Sequence, residues 1–450
     1  MAFGATAANA GITIPAGDWT IDIGGNVNAY YTNTKFDGDA QVYRRLTGDG
    51  SGPYTRVSNT DLYPNEDRAN TISTGLLPAA LGIGGKTRQN DLDIAFQFTF
   101  FTGVDSGCAL GSVAGGFNSE ATACGNGAGG ANSLNIRQAY MTFGDASWGT
   151  IKMGRDLGIY GSDAILNDMT LLGVGIGAGG GGSSTLGRIG SGYMYADWKG
   201  QISYTSPNWN GFSFSAGVME PWTNGYSNKG DNLRNDLGFE AKASYEWTGD
   251  VAGKVWVGGI SQKHKNDVGG YESPEIYGTM TAWWDVEVSD AEWSAAADDS
   301  YTARGWEVGG KVAFGGLQLV GNYYDGKGLG RGLTYLTAFG DKTDDDGWYV
   351  QATYTIPGWG TKIGASYGEA NTDAKITGAD FGYKNKYEED SWIVGVYHPL
   401  TKSLNLVVEY TQRDIQSDFS AYETQVIDSD YYGKSDSDIK TLSLGAILFF

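Results

Sequence analysis

Apolar and polar residues alternate with a period of two along most of this 450-residue chain. In the last segment, Asp438 to Phe450, one parity holds Leu442, Leu444, Ala446, Leu448 and Phe450, and the other holds Thr441, Ser443, Gly445, Ile447 and Phe449. Successive side chains of a strand point to opposite faces, so the segment predicts a strand with one wholly apolar face. Its length suits a tilted strand that crosses a bilayer in roughly 9–11 residues. Leu92 to Gly103 repeats the pattern, with Leu92, Ile94, Phe96, Phe98 and Phe100 opposite Asp93, Ala95, Gln97, Thr99 and Phe101. Asp18 to Thr34 does the same, with Trp19, Ile21, Ile23, Val27, Ala29 and Tyr31 opposite Asp22, Asn26, Asn28 and Tyr30.

Between these segments the pattern predicts strand pairs. Short turns join Gly75–Lys86 to Leu92–Gly103, Leu134–Gly144 to Thr150–Arg155, Gly192–Ser206 to Gly211–Glu220, and Asn235–Thr248 to Ala252–Gln262. The rhythm continues through Tyr301–Phe314 with Leu317–Asp325, Gly347–Ile356 with Thr361–Ala370, and Ser391–Pro399 with Leu404–Asp414. Long polar segments separate the pairs: Pro221–Arg234, Lys263–Ser300, Gly326–Asp346, Asn371–Asp390 and Ile415–Ser437. Short turns at one rim and long loops at the other are the signature of a transmembrane barrel. The expected fold is therefore all-β: an antiparallel up-and-down β-barrel of about 16 strands, with short periplasmic turns, long extracellular loops and both termini at the short-turn rim. Trp247, Trp348, Trp392 and Tyr410 fall at strand ends, where interfacial aromatics belong.

Composition narrows the picture. No run of 18 apolar residues offers a transmembrane helix. The mean hydropathy of −0.31 suits a barrel, because only one strand face meets lipid. The formal charge of −21 argues against nucleic acid as a partner. Residues 1–10 read as the remnant of an export signal or as residues foreign to the mature chain, which leaves 11–450 as one barrel domain. Cys108 and Cys124 lie in the Gly-rich segment 105–133, and a local disulfide suits an exported protein better than two free thiols.

The segment Ile202–Val218, ISYTSPNWNGFSFSAGV, together with Ile136–Phe143 leading to Trp148–Arg155 and the terminal Phe450, resembles the Gram-negative trimeric general porins. The resemblance runs from about Gly11 to the end, although the loops agree only in placement. It implies a homotrimer of sixteen-stranded barrels in outer-membrane lipid and lipopolysaccharide, passing ions and small hydrophilic solutes without a cofactor. It also implies that Leu157–Ser191 folds into the lumen and narrows the pore. On that basis Asp163 and Asp168 on the loop face wall charges at Arg137, Lys152, Lys86, Asp197 and Lys199. Three wall positions depart from the family's basic cluster, reading Asn26, Ala80 and Asp197 with Lys199, so the expected cross-channel field is weaker and more acidic. The charges near the constriction nearly balance, but the loops at the outer mouth carry most of the −21, so modest cation selectivity that declines as salt rises is expected.

Other functions fit less well. The two histidines, His264 and His398, stand beside no serine and carboxylate that suggest a triad, so the chain does not read as an enzyme. Gly179–Gly182 lacks the Lys-Ser/Thr of a phosphate loop. Asp341–Asp346 and Asp428–Asp438 are loop carboxylates, for which solvation is a commoner role than calcium binding. Trp283, Trp284, Trp293 and Trp306 cluster about one long loop and suggest a lid over the mouth, or a sugar platform on a surface receptor. A substrate-specific channel is the nearer rival to a general one.

Overall fold

The computed structural model describes residues 11–38, 41–45, 54–58, 68–104, 134–177, 184–222, 236–265, 300–330, 342–377, 382–421 and 433–450. Strands β1 (Ile12–Ala16) and β2 (Trp19–Gly38) open the chain, and β3 (Gln41–Arg45) pairs with β4 (Tyr54–Ser58) as a separate hairpin. Next come β5 (Arg68–Ser73), β6 (Ala79–Gln89), β7 (Leu92–Thr102), β8 (Asn135–Asp145) and β9 (Gly149–Leu157). After an internal segment follow β10 (Trp198–Thr205), β11 (Phe212–Met219), β12 (Gly238–Trp247), β13 (Ala252–Lys265), β14 (Ser300–Phe314) and β15 (Leu317–Lys327). The last five are β16 (Asp344–Thr355), β17 (Lys362–Thr377), β18 (Gly382–Pro399), β19 (Leu404–Ala421) and β20 (Gly433–Phe449).

Each strand from β6 onward pairs antiparallel with the next, and β20 closes on β2, from Phe449 opposite Asn26 to Ser437 opposite Gly38. The result is a closed 16-strand barrel in which β5 and β6 together count as one interrupted strand. Closure leaves no open sheet edge, which a lipid environment requires of strands. Residues Thr74–Pro78 break the strand between β5 and β6, and this gap matters for the site below.

The alternation sorts side chains as expected. Leu442, Leu444 and Leu448 face outward, whereas Ser443 is 1% exposed and points in. Outward rings meet across neighbouring strands: Trp306 with Tyr323, Trp348 with Tyr367, and Trp392 with Tyr410, at 5.5, 5.5 and 5.1 Å between centroids. Such pairs form the aromatic belt of a barrel. Trp306 is therefore a belt residue rather than part of a lid, because its parity matches outward Val308. Trp283, Trp284 and Trp293 lie outside the described residues, as do Cys108 and Cys124.

The structure corrects several sequence boundaries. Within the expected loops Asn371–Asp390 and Ile415–Ser437, residues 371–377, 382–390, 415–421 and 433–437 are strand, because β17 to β20 run 16, 18, 18 and 17 residues, well beyond a bilayer crossing. Past the membrane both strand faces meet polar surroundings, so the apolar period that betrays a strand is lost. In the opposite sense, Gly192–Asp197 is not strand but the end of the internal segment, and β10 begins only at Trp198. Its Tyr193, Met194, Tyr195 and Ala196 are all buried, which mimics the apolar content of a strand.

Candidate functional site

Between β9 and β10 the chain turns into the barrel and crosses it before returning. Helix α1 (Ser162–Leu166) follows Gly161, whose φ of 77° is a left-handed conformation that glycine adopts without strain. A 3-10 turn (Met169–Leu172) starts at Asp168, whose Oδ1 accepts hydrogen bonds from the Thr170 backbone N–H at 2.9 Å and the Thr170 hydroxyl at 2.8 Å. The returning arm pairs with the outgoing one where Ile176 N–H donates to Gly187 O at 2.9 Å. Gly175 and Gly187 touch there, and a Cβ on Gly175 would overlap the Gly187 backbone.

Carboxylates on the inner wall hold this loop by its backbone. Glu240 Oε2 on β12 accepts from Ile159 N at 2.6 Å and Tyr160 N at 2.9 Å. Glu307 Oε1 on β14 accepts from Gly161 N at 2.9 Å. Glu409 Oε2 on β19 accepts from Val174 N and Gly175 N, both at 2.7 Å, while its Oε1 accepts from the Tyr397 hydroxyl at 2.6 Å. Consecutive amide N–H groups converging on one oxygen form an anion nest, here filled by a side chain of the wall. Neutral groups complete the attachment. Gln351 on β16 accepts from Met169 N and donates to Asn167 O, and the Tyr349 hydroxyl donates to Ala164 O at 2.9 Å. Across the barrel the Tyr30 hydroxyl of β2 donates to Leu172 O at 2.6 Å.

The break in the second strand belongs to the same attachment. Leu76 N donates to Gly173 O at 2.8 Å and Thr185 N donates to Gly75 O at 3.0 Å, so groups freed from the sheet ladder are paired with the loop instead. Asn28 secures the gap, donating to Leu77 O and accepting from Gly75 N. A Cβ at Gly75 would overlap the Gly173 carbonyl. Gly75→Val is therefore expected to push the loop from the wall at a cost of about 1–3 kcal/mol. A lowered thermal midpoint checks this, and an unaltered midpoint would contradict the close approach.

Asp163 lies in α1 and is gripped by two wall lysines. Lys242 Nζ of β12 sits 2.7 Å from its Oδ2, and Lys254 of β13 reaches its Oδ1. Burial pushes the Asp163 carboxyl up, but the two ammonium groups outweigh it and hold the carboxyl below its ordinary range. Asp168 is 4% exposed, and its Oδ2 accepts from Arg188 N at 3.0 Å and the Tyr193 hydroxyl at 2.8 Å. Both acids thus bind the loop together or to the wall rather than standing in the lumen.

The wall residues singled out in the sequence are spread out. Arg137 is the extra residue of a bulge, since Thr99 opposes Gln138 while Phe100 opposes Ile136, and its guanidinium lies 5.3 Å from the Phe101 ring. Lys152 is half-buried, pairs with Asp156 and sits 4.9 Å from the Tyr140 ring. Lys199 is buried between Glu240 and the Trp222 ring, 3.9 Å from the ring centre. Asp197 ends the loop in a left-handed conformation, φ 59°, and its Oδ1 accepts from Trp198 N at 2.7 Å. Lys86 faces Asp22 at 3.4 Å beside the β6–β7 turn, away from the loop. At the start of β16, Asp344 is exposed to solvent, but its neighbour Asp345 is not. Asp345 is 2% exposed and accepts from Leu329 N and Gly330 N, both at 3.0 Å.

Besides Lys254, three further anchors are not singled out by the sequence. Glu307 and Glu409 carry a signal, because each is a lone acid of inward parity beside outward Val308 or Val408. Arg188 carries none. It is fully buried in the loop, where NH1 donates to Ser191 O at 3.1 Å and Ser391 Oγ at 3.0 Å, and Nε donates to Ser366 Oγ. Burial pulls its guanidinium down to about 10, with Asp168 the main opposing charge.

A closed barrel with an apolar outer belt and an inward loop tied to its wall defines an outer-membrane channel protein. The chain belongs to the Gram-negative porin family, whose sequence model matches residues 1–417. It is accordingly a protein of the bacterial outer membrane. No curated protein matches it. Among solved structures it is similar to an anion-selective porin from Comamonas acidovorans, at 14% identity and a TM-score of 0.55, over 96% of this chain and 100% of that one. The outer-membrane protein OmpT of Vibrio cholerae superimposes with a TM-score of 0.52 at 15% identity, over 98% and 100% of the two chains. The outer-membrane channel DcaP of Acinetobacter baumannii gives 0.51 at 14% identity, over 97% and 99%. At these identities the agreement is one of fold.

Proposed function

We propose that this porin is a water-filled channel for passive diffusion of ions and small hydrophilic solutes, that it works as a homotrimer, and that it modestly prefers cations. It carries out no catalysis in this reading. The observation that supports it best is the loop crossing the barrel, held along its outgoing arm by Glu240, Glu307 and Glu409. A loop so held narrows a passage at a fixed width instead of plugging and unplugging it. A trimer form is among the structures of Vibrio cholerae OmpT, which supports the same assembly here. Contacts with lipid and lipopolysaccharide follow from the apolar outer face. Cys108 with Cys124 remains our proposed disulfide.

The cation preference is placed at the outer mouth. Asp163 is neutralised by two lysines and Asp168 is buried, which leaves the narrow part little net negative field. Further out, Glu369, Asp390, Asp414, Asp438 and Asp37 stand in register on the outward face of β17, β18, β19, β20 and β2, around the mouth. With a chain charge of −21, this rim attracts cations. Mouth charges act through water, so the effect fades as the Debye length shrinks from about 10 Å at 0.1 M salt to about 3 Å at 1 M. Reversal potentials across a KCl gradient test this. Potassium preference at low salt that declines as salt rises is expected, whereas chloride preference at low salt would overturn it.

A further inference from the structure

Between Gly158 and Ile176 the side chains that the loop leaves exposed are chiefly leucines. In the described stretch from Gly158 to Ile176, only Leu166, at 39%, is exposed, and only Asn167, Leu171 and Leu172 are half-exposed, the two leucines packing in part against the apolar clusters around Ile165 and Val174. Every other side chain there is buried, including both acids. The loop lies inside the barrel, so a side chain it leaves exposed meets the water of the passage. Leucine exposed to water inside a pore forgoes burial that a neighbouring position would give it, and exposed apolar patches mark contact surfaces. The barrel wall is different, offering half-buried Gln97, Tyr140 and Lys152 on inward positions of β7, β8 and β9.

We infer that Leu166, Leu171 and Leu172 form a contact strip for permeating solutes, and that the channel favours uncharged or zwitterionic solutes bearing a compact aliphatic face over wholly hydrophilic ones of similar size. This deepens the diffusion-channel reading and rests on it. The occupant follows from position and chemistry. The strip lies on the route of permeation, it carries no charge, and Asn167 together with the polar wall groups can hydrogen-bond the solute's other side. A net anionic solute is disfavoured earlier, at the acidic mouth.

Proteoliposome swelling with leucine and with glutamine, amino acids of comparable size, tests the inference. Leucine is expected to enter faster than glutamine, by about twofold or more. Leu166→Asn is close in size to the original and sits at an exposed site. It is expected to bring the two rates together, and Leu166→Asn with Leu171→Asn to equalise them. Equal rates in the unmodified protein, or a leucine advantage that survives both variants, would overturn the inference while leaving the channel intact. Low KCl conductance that rises sharply in Leu166→Asn would also overturn it, because the strip would then be a dewetting gate. Absence of KCl conductance in the unmodified protein and in both variants would instead overturn the diffusion-channel reading.

Discussion

Replacing Glu409 by alanine is expected to detach the middle of the inward loop and raise the conductance of the channel. The carboxylate is 1% exposed and accepts from two loop amides, at Val174 and Gly175, and from the Tyr397 hydroxyl. Its removal leaves three buried donors without their partner. Each such donor costs about 1–3 kcal/mol if it stays dry, so the loop gains more by moving until water reaches it. Moving it also separates Gly173 from Leu76 and opens the contact that fills the gap in the second strand. Larger and noisier single-channel currents are the expected readout, with the barrel still folded by circular dichroism. The outward carboxylate Glu369, on a strand beside the loop's wall contacts, serves as the comparison. Glu369→Ala should leave channel size alone. Equal behaviour of the two variants would mean that the nest at Val174 and Gly175 does not hold the loop.

The second large effect lies on the lipid face. Leu444→Arg places a charge on an outward position that pairs with Val408 on one side and Tyr31 on the other. All three are exposed apolar residues of the barrel's outer surface. Near the bilayer midplane such a substitution costs about 2–4 kcal/mol. Ser443→Ala, one residue away, changes a lumenal position opposite Glu409 and Thr32 and should cost far less. Urea titrations of the two variants in lipid vesicles measure the difference. A comparable loss from both would reverse the assigned facing of β20, because a one-residue slip exchanges the two faces.

How much of this was legible in the sequence follows from which forces leave a period. Where one face meets lipid and the other the lumen, as at Leu92 to Thr102, the alternation fixes a strand and its facing directly. Above the membrane that contrast ends, so the outer halves of β18 and β19 read as loops even though their ladders continue. The inward loop poses the opposite problem. Tyr193, Met194 and Tyr195 are apolar for packing against wall residues such as Tyr349 and Ile260, and they imitate the strand that follows. The resemblance to porins places Asp163 and Asp168 at the constriction, but the sequence does not say what surrounds them there. Only the three-dimensional neighbours reveal Lys242 and Lys254 around Asp163, and the Tyr193 hydroxyl against Asp168. Wall and loop carboxylates turn out to attach the loop, and the leucines between them are what the lumen meets.

The central claim is that the loop narrows an open passage at a fixed width. Single-channel recording of the purified protein in planar bilayers tests it most directly. Discrete, long-lived conductance steps in plain KCl without any added ligand are expected, enlarged in Glu409→Ala. A bilayer that stays electrically silent with the unmodified protein and conducts only once Glu409 is removed would show that the loop seals the barrel.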